Sequence, residues 1–167
     1  LLDFTFPDKS REEVIAEVKG CHSISDFQTK IVYQSILQVL ERSSEGFTTE
    51  GFDKLDPGTA YLFISNHRDI ILDTSLLNIA LHDNGKVMTA SAIGDNLVRK
   101  SFLLALSRLN RNFLIFRQLG VREMLQSSRV VSSYIRELIT EVNRSVWIAQ
   151  REGRTKDGDD RTQQGVL

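Results

Sequence analysis

Only one cysteine, Cys21, occurs in the 167 residues, so no disulfide can close within the chain and the cysteine pairs of a structural zinc site are missing. That usage fits a reducing compartment. There is no run of 18 apolar residues, which excludes a spanning helix, and the N-terminal residues lack the basic and apolar regions of a signal peptide. A G-x-S-x-G elbow, a Gly-rich phosphate loop and a DFG triplet are also missing, which removes serine hydrolases and protein kinases. No internal repeat or low-complexity segment appears. Excess charge of one sign is lacking too: the formal net charge is -1 and the pI is near 6.4, against a surface built throughout to hold nucleic acid. What is present, 41% hydrophobic and 26% charged residues, is the composition of one globular domain. A chain of this length buries roughly 70% of its unfolded surface, enough for a core without staples. It opens on Leu1 rather than Met and stops on Val166-Leu167, and is read as a piece of a longer chain.

Ser10 followed by Glu13 is a capping box opening a short peripheral helix, and Ser25 followed by Gln28 predicts a second helix to about Arg42. In the latter, Phe27, Ile31, Val32, Ile36, Val39 and Leu40 recur at three- and four-residue steps. Beyond the Ser-Ser-Glu-Gly break, Phe47 to Phe52 and Ala60 to Ser65 read as a first hairpin around the turn Asp56-Pro57-Gly58-Thr59. The pattern then alternates: helix from about Ile70 to His82, strand Lys86 to Ser91, and a helix capped by Asp95 to about Leu109. Strand Asn112 to Arg117, helix Val121 to Asn143 and strand Ser145 to Ala149 complete it. Strands separated by helices of this length need crossovers. The expected fold is therefore α/β, a mixed, largely parallel sheet flanked by helices and preceded by N-terminal helices. Residues 1–46 form the helical segment and residues 47–167 the α/β domain.

Charge is uneven. From Arg99 to Arg136 eight basic residues face one acid, Glu123, a balance of +7, whereas residues 1–60 carry -5. A basic middle on a nearly neutral chain suits an anionic partner of limited size: a phosphorylated small molecule, a phospholipid surface or an acidic carrier.

The densest polar cluster, Ser65-Asn66-His67-Arg68-Asp69-Ile70-Ile71-Leu72-Asp73, lies where a buried strand meets a helix, the junction at which α/β sheets hold ligands. An imidazole with a carboxylate partner can take a proton from a hydroxyl at neutral pH. Asp69 and Asp73 are both candidates for that partner, and the same residues suit a helix cap. Two further strand ends carry arginines, Arg117 in one and Arg151-Glu152-Gly153-Arg154 in the other. An arginine can clamp a phosphate through two parallel hydrogen bonds, and a neighbouring glycine lets backbone approach closely.

In the order of these motifs the chain resembles the glycerolphosphate and 1-acylglycerol-phosphate (lysophosphatidic acid) acyltransferase superfamily. Tyr61 to Ser65 running into Asn66-His67-Arg68 is similar to the family's first block, Asn112 to Arg117 to its second, and Ile148 to Thr155 to its third. The family spacing would put the carboxylate at residue 72, which is Leu here; Asp73 stands one position later, within reach if the helix start bulges. The third block has no residue between Gly153 and Arg154, and the family's fourth block is missing, which implies truncation near Leu167.

The resemblance implies transfer of a fatty acyl group from acyl-CoA or acyl-carrier protein to a hydroxyl of a glycerol-phosphate or lysophosphatidate-type acceptor. His67 would be the general base and Asp73, or Asp69, would orient it. Arg117 and Arg154, with Glu152, Gly153 and Arg68, would meet the acceptor phosphate. No metal, no cofactor and no nucleic acid is implied; the expected setting is cytoplasmic and peripheral at a membrane surface. Transfer to another lysolipid acceptor, or a non-catalytic relative that binds lipid or an acyl carrier, are the alternatives.

Overall fold

The computed structural model describes residues 8–157 and 161–163, so the two chain ends, with the expected truncation near Leu167, lie outside the described residues. Residues fall into two compact units, 1–50 and 51–167.

In the first unit, helix α1 (Arg11–Lys19) starts at the expected capping box: Ser10 Oγ accepts the Glu13 N–H at 3.2 Å and the Glu13 carboxylate accepts the Ser10 N–H at 2.7 Å. The second helical run starts two residues earlier than the Ser25 box predicts. Its cap is Ser23, whose Oγ accepts the Asp26 N–H at 3.0 Å while Asp26 accepts the His22 N–H at 2.9 Å. Gln28, expected to close the Ser25 box, is buried in the π-helical stretch that follows. A turn at Ile24–Asp26 passes through a π-helical stretch, Phe27–Val32, into α2 (Tyr33–Ser43). Phe27, Ile31 and Ile36 form the buried face.

The second unit is a four-stranded sheet in the order β1-β4-β2-β3, with β1 Leu62–Ser65, β2 Thr89–Gly94, β3 Asn112–Ile115 and β4 Ser145–Ala149. Every pairing among them is parallel. The expected α/β fold, a largely parallel sheet flanked by helices, is what forms; only the antiparallel first hairpin, which would have made the sheet mixed, is corrected. Phe47 to Phe52 forms no strand, because Gly51, at φ 84°, turns the chain into a single 3-10 turn, Phe52–Lys54. Only glycine adopts that backbone freely.

The crossovers are α3 (Leu72–Asp83), α4 (Ser101–Leu109) and α5 (Val121–Thr140). Two of them cover opposite faces, and the pleat shows which. Thr89 bonds Asn78 of α3 through its N–H (2.7 Å) and Oγ1 (3.1 Å), whereas the next residue, Ala90, packs with Val146 against Ile135, Leu138 and Ile139 of α5. Successive side chains of a strand point to opposite faces, so α3 and α5 sandwich the sheet. β2 lies three residues further along than predicted. The helix expected from Asp95 onward is only a 3-10 turn, Asp95–Leu97, before α4 begins at Ser101. Asp95 makes no cap; its carboxylate lies 3.4 Å from the Arg117 N–H. Among the described residues no helix is long and apolar enough to cross a membrane.

Candidate functional site

All four strands point the same way, so their carboxyl ends share one edge of the sheet. There β1 delivers Asn66-His67, β4 delivers Gln150 to Thr155, and β3 delivers Arg117. β1 and β4 are neighbours, and the loop after β4 is tied back over the loop after β1. The Gln150 N–H donates to the Ser65 carbonyl at 2.8 Å, and the Thr155 N–H donates to the His67 carbonyl at 2.6 Å. The first and third motifs, some eighty residues apart in sequence, are thus joined through backbone.

His67 Nδ1 lies 2.8 Å from Asp73 Oδ2. The same oxygen accepts the Arg68 N–H at 2.7 Å and the Asp69 N–H at 3.0 Å. Three donors on one oxygen fix the carboxylate, and a carboxylate at Nδ1 places the proton of a neutral imidazole there, leaving Nε2 with its lone pair. Asp69 has a separate task. Its Oδ1 accepts the Leu72 N–H at 2.7 Å and the Ile71 N–H at 2.8 Å, capping the start of α3. These two bonds, from Leu72 first and then Ile71, hold its carboxyl below the usual carboxylate range, with smaller help from the charges of Arg154 and His67. Of the two candidate partners, the structure joins Asp73 to the histidine and gives Asp69 to the helix. Residues 66–71 are non-helical and turn back so that Asp73, in the first turn of α3, faces His67.

Two residues in this arrangement were not singled out in the sequence. Trp147 sets its ring edge-on to the His67 imidazole, with centroids 5.7 Å apart at 69°, and its Nε1–H donates to Ser65 Oγ at 2.9 Å. The Ser65 hydroxyl in turn donates to the Asn66 carbonyl at 2.9 Å. Trp147 is buried in β4 and therefore braces the imidazole from the sheet. The other is Gly94, the last residue of β2. A Cβ there would lie 2.8 Å from Arg117 Nε and 2.6 Å from Asn96 Oδ1. Missing that atom lets the Arg117 side chain cross the end of β2 toward β4, where its guanidinium stands 3.8 Å from Glu152 Oε1. Both partners are substantially exposed, so this ion pair contributes little stability and leaves the guanidinium open to solvent.

Gly153 takes φ 72°, turning the loop after β4, and Arg154 and Arg68 are exposed at the same edge. Arg154 lies near enough to Asp69 for its charge to be felt there. His67 and Asp73 are each about one-fifth exposed, at 19% and 21% of their side chains. The pair is therefore neither sealed in the core nor freely solvated. Among the described residues no three His, Cys, Asp or Glu side chains are grouped to hold a metal ion. Chemically, the edge offers a base oriented by a carboxylate, and guanidinium groups at neighbouring strand ends. No known protein family, no curated protein and no solved structure matches the chain.

Proposed function

We propose that the chain is an acyltransferase domain that moves a fatty acyl group from an acyl thioester, on coenzyme A or an acyl-carrier protein, to a hydroxyl of a glycerol-phosphate or lysophosphatidate-type acceptor. The observation that carries the reading is the 2.8 Å contact between His67 Nδ1 and Asp73 Oδ2 at the carboxyl edge of a parallel sheet. The order of the three motifs supports it, as does the basic stretch that contains Arg117.

In this reaction His67 Nε2 takes the acceptor's hydroxyl proton as that oxygen attacks the thioester carbonyl carbon. Asp73 stabilises the imidazolium that forms. Collapse of the tetrahedral adduct breaks the C–S bond, and the imidazolium returns the proton to the departing thiolate. No covalent acyl-enzyme is needed. Arg117 and Arg154 hold the acceptor phosphate, with Glu152 orienting Arg117 across the Gly94 gap. Arg68 supplies a further positive charge beside the histidine. Because the acceptor and product are amphiphiles, the domain works peripherally at a membrane surface.

The test is incubation of the protein with a labelled long-chain acyl thioester and a panel of acceptors: glycerol 3-phosphate, lysophosphatidate, a lysolipid with an amino-acid headgroup, and a phosphate-free monoacylglycerol. Transfer confined to the phosphate-bearing acceptors is expected. Transfer to the amino-acid lysolipid alone would move the acceptor assignment. Thioester binding without transfer to any acceptor would replace catalysis by a binding role.

A further inference from the structure

Helix α5 spans 20 residues and the strands that it covers span only four to six. At 1.5 Å per residue the helix is about 30 Å long. A five-residue strand at 3.3 Å per residue reaches only about 17 Å. Because α5 returns the chain from the end of β3 to the start of parallel β4, it runs against the strands, and its N-terminal turns lie toward the carboxyl edge. The residues of α5 seen to pack on the sheet, Tyr134, Ile135, Leu138 and Ile139, all belong to its last two turns. Stepping back along the same stripe by threes and fours gives Met124, Leu125 and Val121, and these are 52%, 62% and 76% exposed. A core-facing stripe has run off the end of its sheet.

The same edge carries other protruding apolar side chains: Phe116 after β3, Phe102 at the start of α4 and Ile71 after β1, the last two more than 60% exposed. At the amino edge Leu62, Leu109 and Val142 protrude among the described residues of this unit, fewer and on the whole less exposed than those at the carboxyl edge. Cations are interleaved with the apolar group. Arg99 and Lys100 precede α4, Arg117 follows β3, and Arg122 lies in the first turn of α5. A cation at a helix N-terminus opposes the helix dipole, so local helix stability does not account for Arg99, Lys100 and Arg122. The one acid of this stretch, Glu123, folds back to accept the Gly120 N–H at 3.2 Å.

We propose that this edge, centred on the overhanging N-terminal turns of α5 and the start of α4, is a docking surface for an anionic phospholipid bilayer. Exposed aliphatic and aromatic side chains enter the acyl boundary while the surrounding arginines and lysine meet lipid phosphates, the combination by which interfacial helices hold anionic membranes. Charge complementarity selects this occupant over an uncharged apolar partner. Docking there sets the His67 edge against the lipid headgroups. What is thereby delivered rests on the acyltransferase reading; the docking itself rests only on the surface.

The experiment is co-sedimentation of the full chain with vesicles of phosphatidylcholine alone or with about 30% phosphatidylglycerol, without any acyl donor, at about 0.1 and 0.5 M salt. Binding to the anionic vesicles is expected, at least about tenfold tighter than to neutral ones and weakened by salt. Exchanging Arg99, Lys100 and Arg122 together for Gln should lower it about a hundredfold, at roughly fivefold per cation. Val121→Ser with Leu125→Ser should lower it about tenfold or more, because two exposed side chains lose their burial in lipid. His67→Ala should bind as wild type does, which separates docking from catalysis; wild-type protein that binds the anionic vesicles yet transfers no acyl group in the separate acceptor assay would remove the acyltransferase reading and keep this one. Equal affinity for neutral vesicles, or none for either, would overturn the proposal. So would a dimer that Val121→Ser and Leu125→Ser dissociate while vesicle binding is unchanged, which would assign the overhang to a second copy of the chain.

Discussion

Asp69 and Asp73, four residues apart, should separate cleanly into a stability role and a rate role. Asp69→Ala removes one carboxylate oxygen that accepts two backbone donors at the start of α3, at 2.7 and 2.8 Å. Losing an N-terminal cap costs about 1 kcal/mol, within a range of roughly 0.5–2. For a chain of this size that is a fall in Tm of about 2–4 °C. Acyl transfer should drop by less than about fivefold, because His67 keeps its own partner. Asp73→Asn leaves an oxygen for the Arg68 and Asp69 N–H groups but removes the negative charge beside His67 Nδ1. The charge of Asp73 counts most in the transition state, where the imidazolium forms, so a loss of about 1.5–3 kcal/mol there lowers kcat about 10- to 150-fold, while the two backbone bonds are kept and the Tm falls less than in Asp69→Ala. Thermal melts by circular dichroism and initial rates with a labelled acyl thioester measure both quantities. The cap also has a pH signature. Since the Leu72 and Ile71 N–H groups hold the Asp69 carboxyl below its unfolded value, its stabilisation is complete above about pH 4 and is lost as pH falls through the lower folded value. The Tm gap between wild type and Asp69→Ala should therefore close in acid. A larger rate loss in Asp69→Ala than in Asp73→Asn would refute the assignment of the two carboxylates.

Other expectations concern the bracing residues. Trp147→Phe deletes the 2.9 Å bond to Ser65 but keeps an aromatic edge beside His67, and should lower stability by about 1 kcal/mol and kcat several-fold, read by melts and rates together. Unchanged rates would remove Trp147 from the positioning of the imidazole. Arg117→Gln should raise KM about tenfold for a phosphate-bearing acceptor and leave a phosphate-free one unaffected; equal effects on both would contradict a phosphate contact. Gly94→Ala places a methyl group 2.8 Å from Arg117 Nε and should reproduce the Arg117→Gln pattern more weakly, whereas a wild-type KM would show that the crossing is not needed.

The region from Ser65 to Asp73 was legible because an apolar run, a turn and two carboxylates mark a strand-to-helix junction in one stretch of sequence. Which carboxylate meets the histidine was legible only as a preference, for Asp73 across a bulged helix start with Asp69 as the cap, and the geometry agrees with it. That depends on how the non-helical residues before α3 turn, and a cap and a partner use the same residue type. β2 was displaced for a different reason: in Thr-Ala-Ser-Ala-Ile-Gly only Thr89 and Ile93 favour a strand, and the Ala, Ser and Gly between and after them do not. It is a strand because parallel neighbours pair with it on both sides and Asn78 satisfies Thr89. Such support is not local. Gly94 and Trp147 escaped for the same reason, since their value lies in Arg117 and His67, which only the sheet order brings near. The expected hairpin failed at Gly51, whose left-handed backbone interrupts an otherwise plausible extended run.

The most direct measurement is the rate of acyl transfer by His67→Ala, compared with wild type under single-turnover conditions with saturating acyl thioester and glycerol-phosphate or lysophosphatidate acceptor. General-base catalysis by His67 predicts a loss of about 10²- to 10⁴-fold with the fold, by circular dichroism, intact. Transfer within a fewfold of wild type would contradict the account.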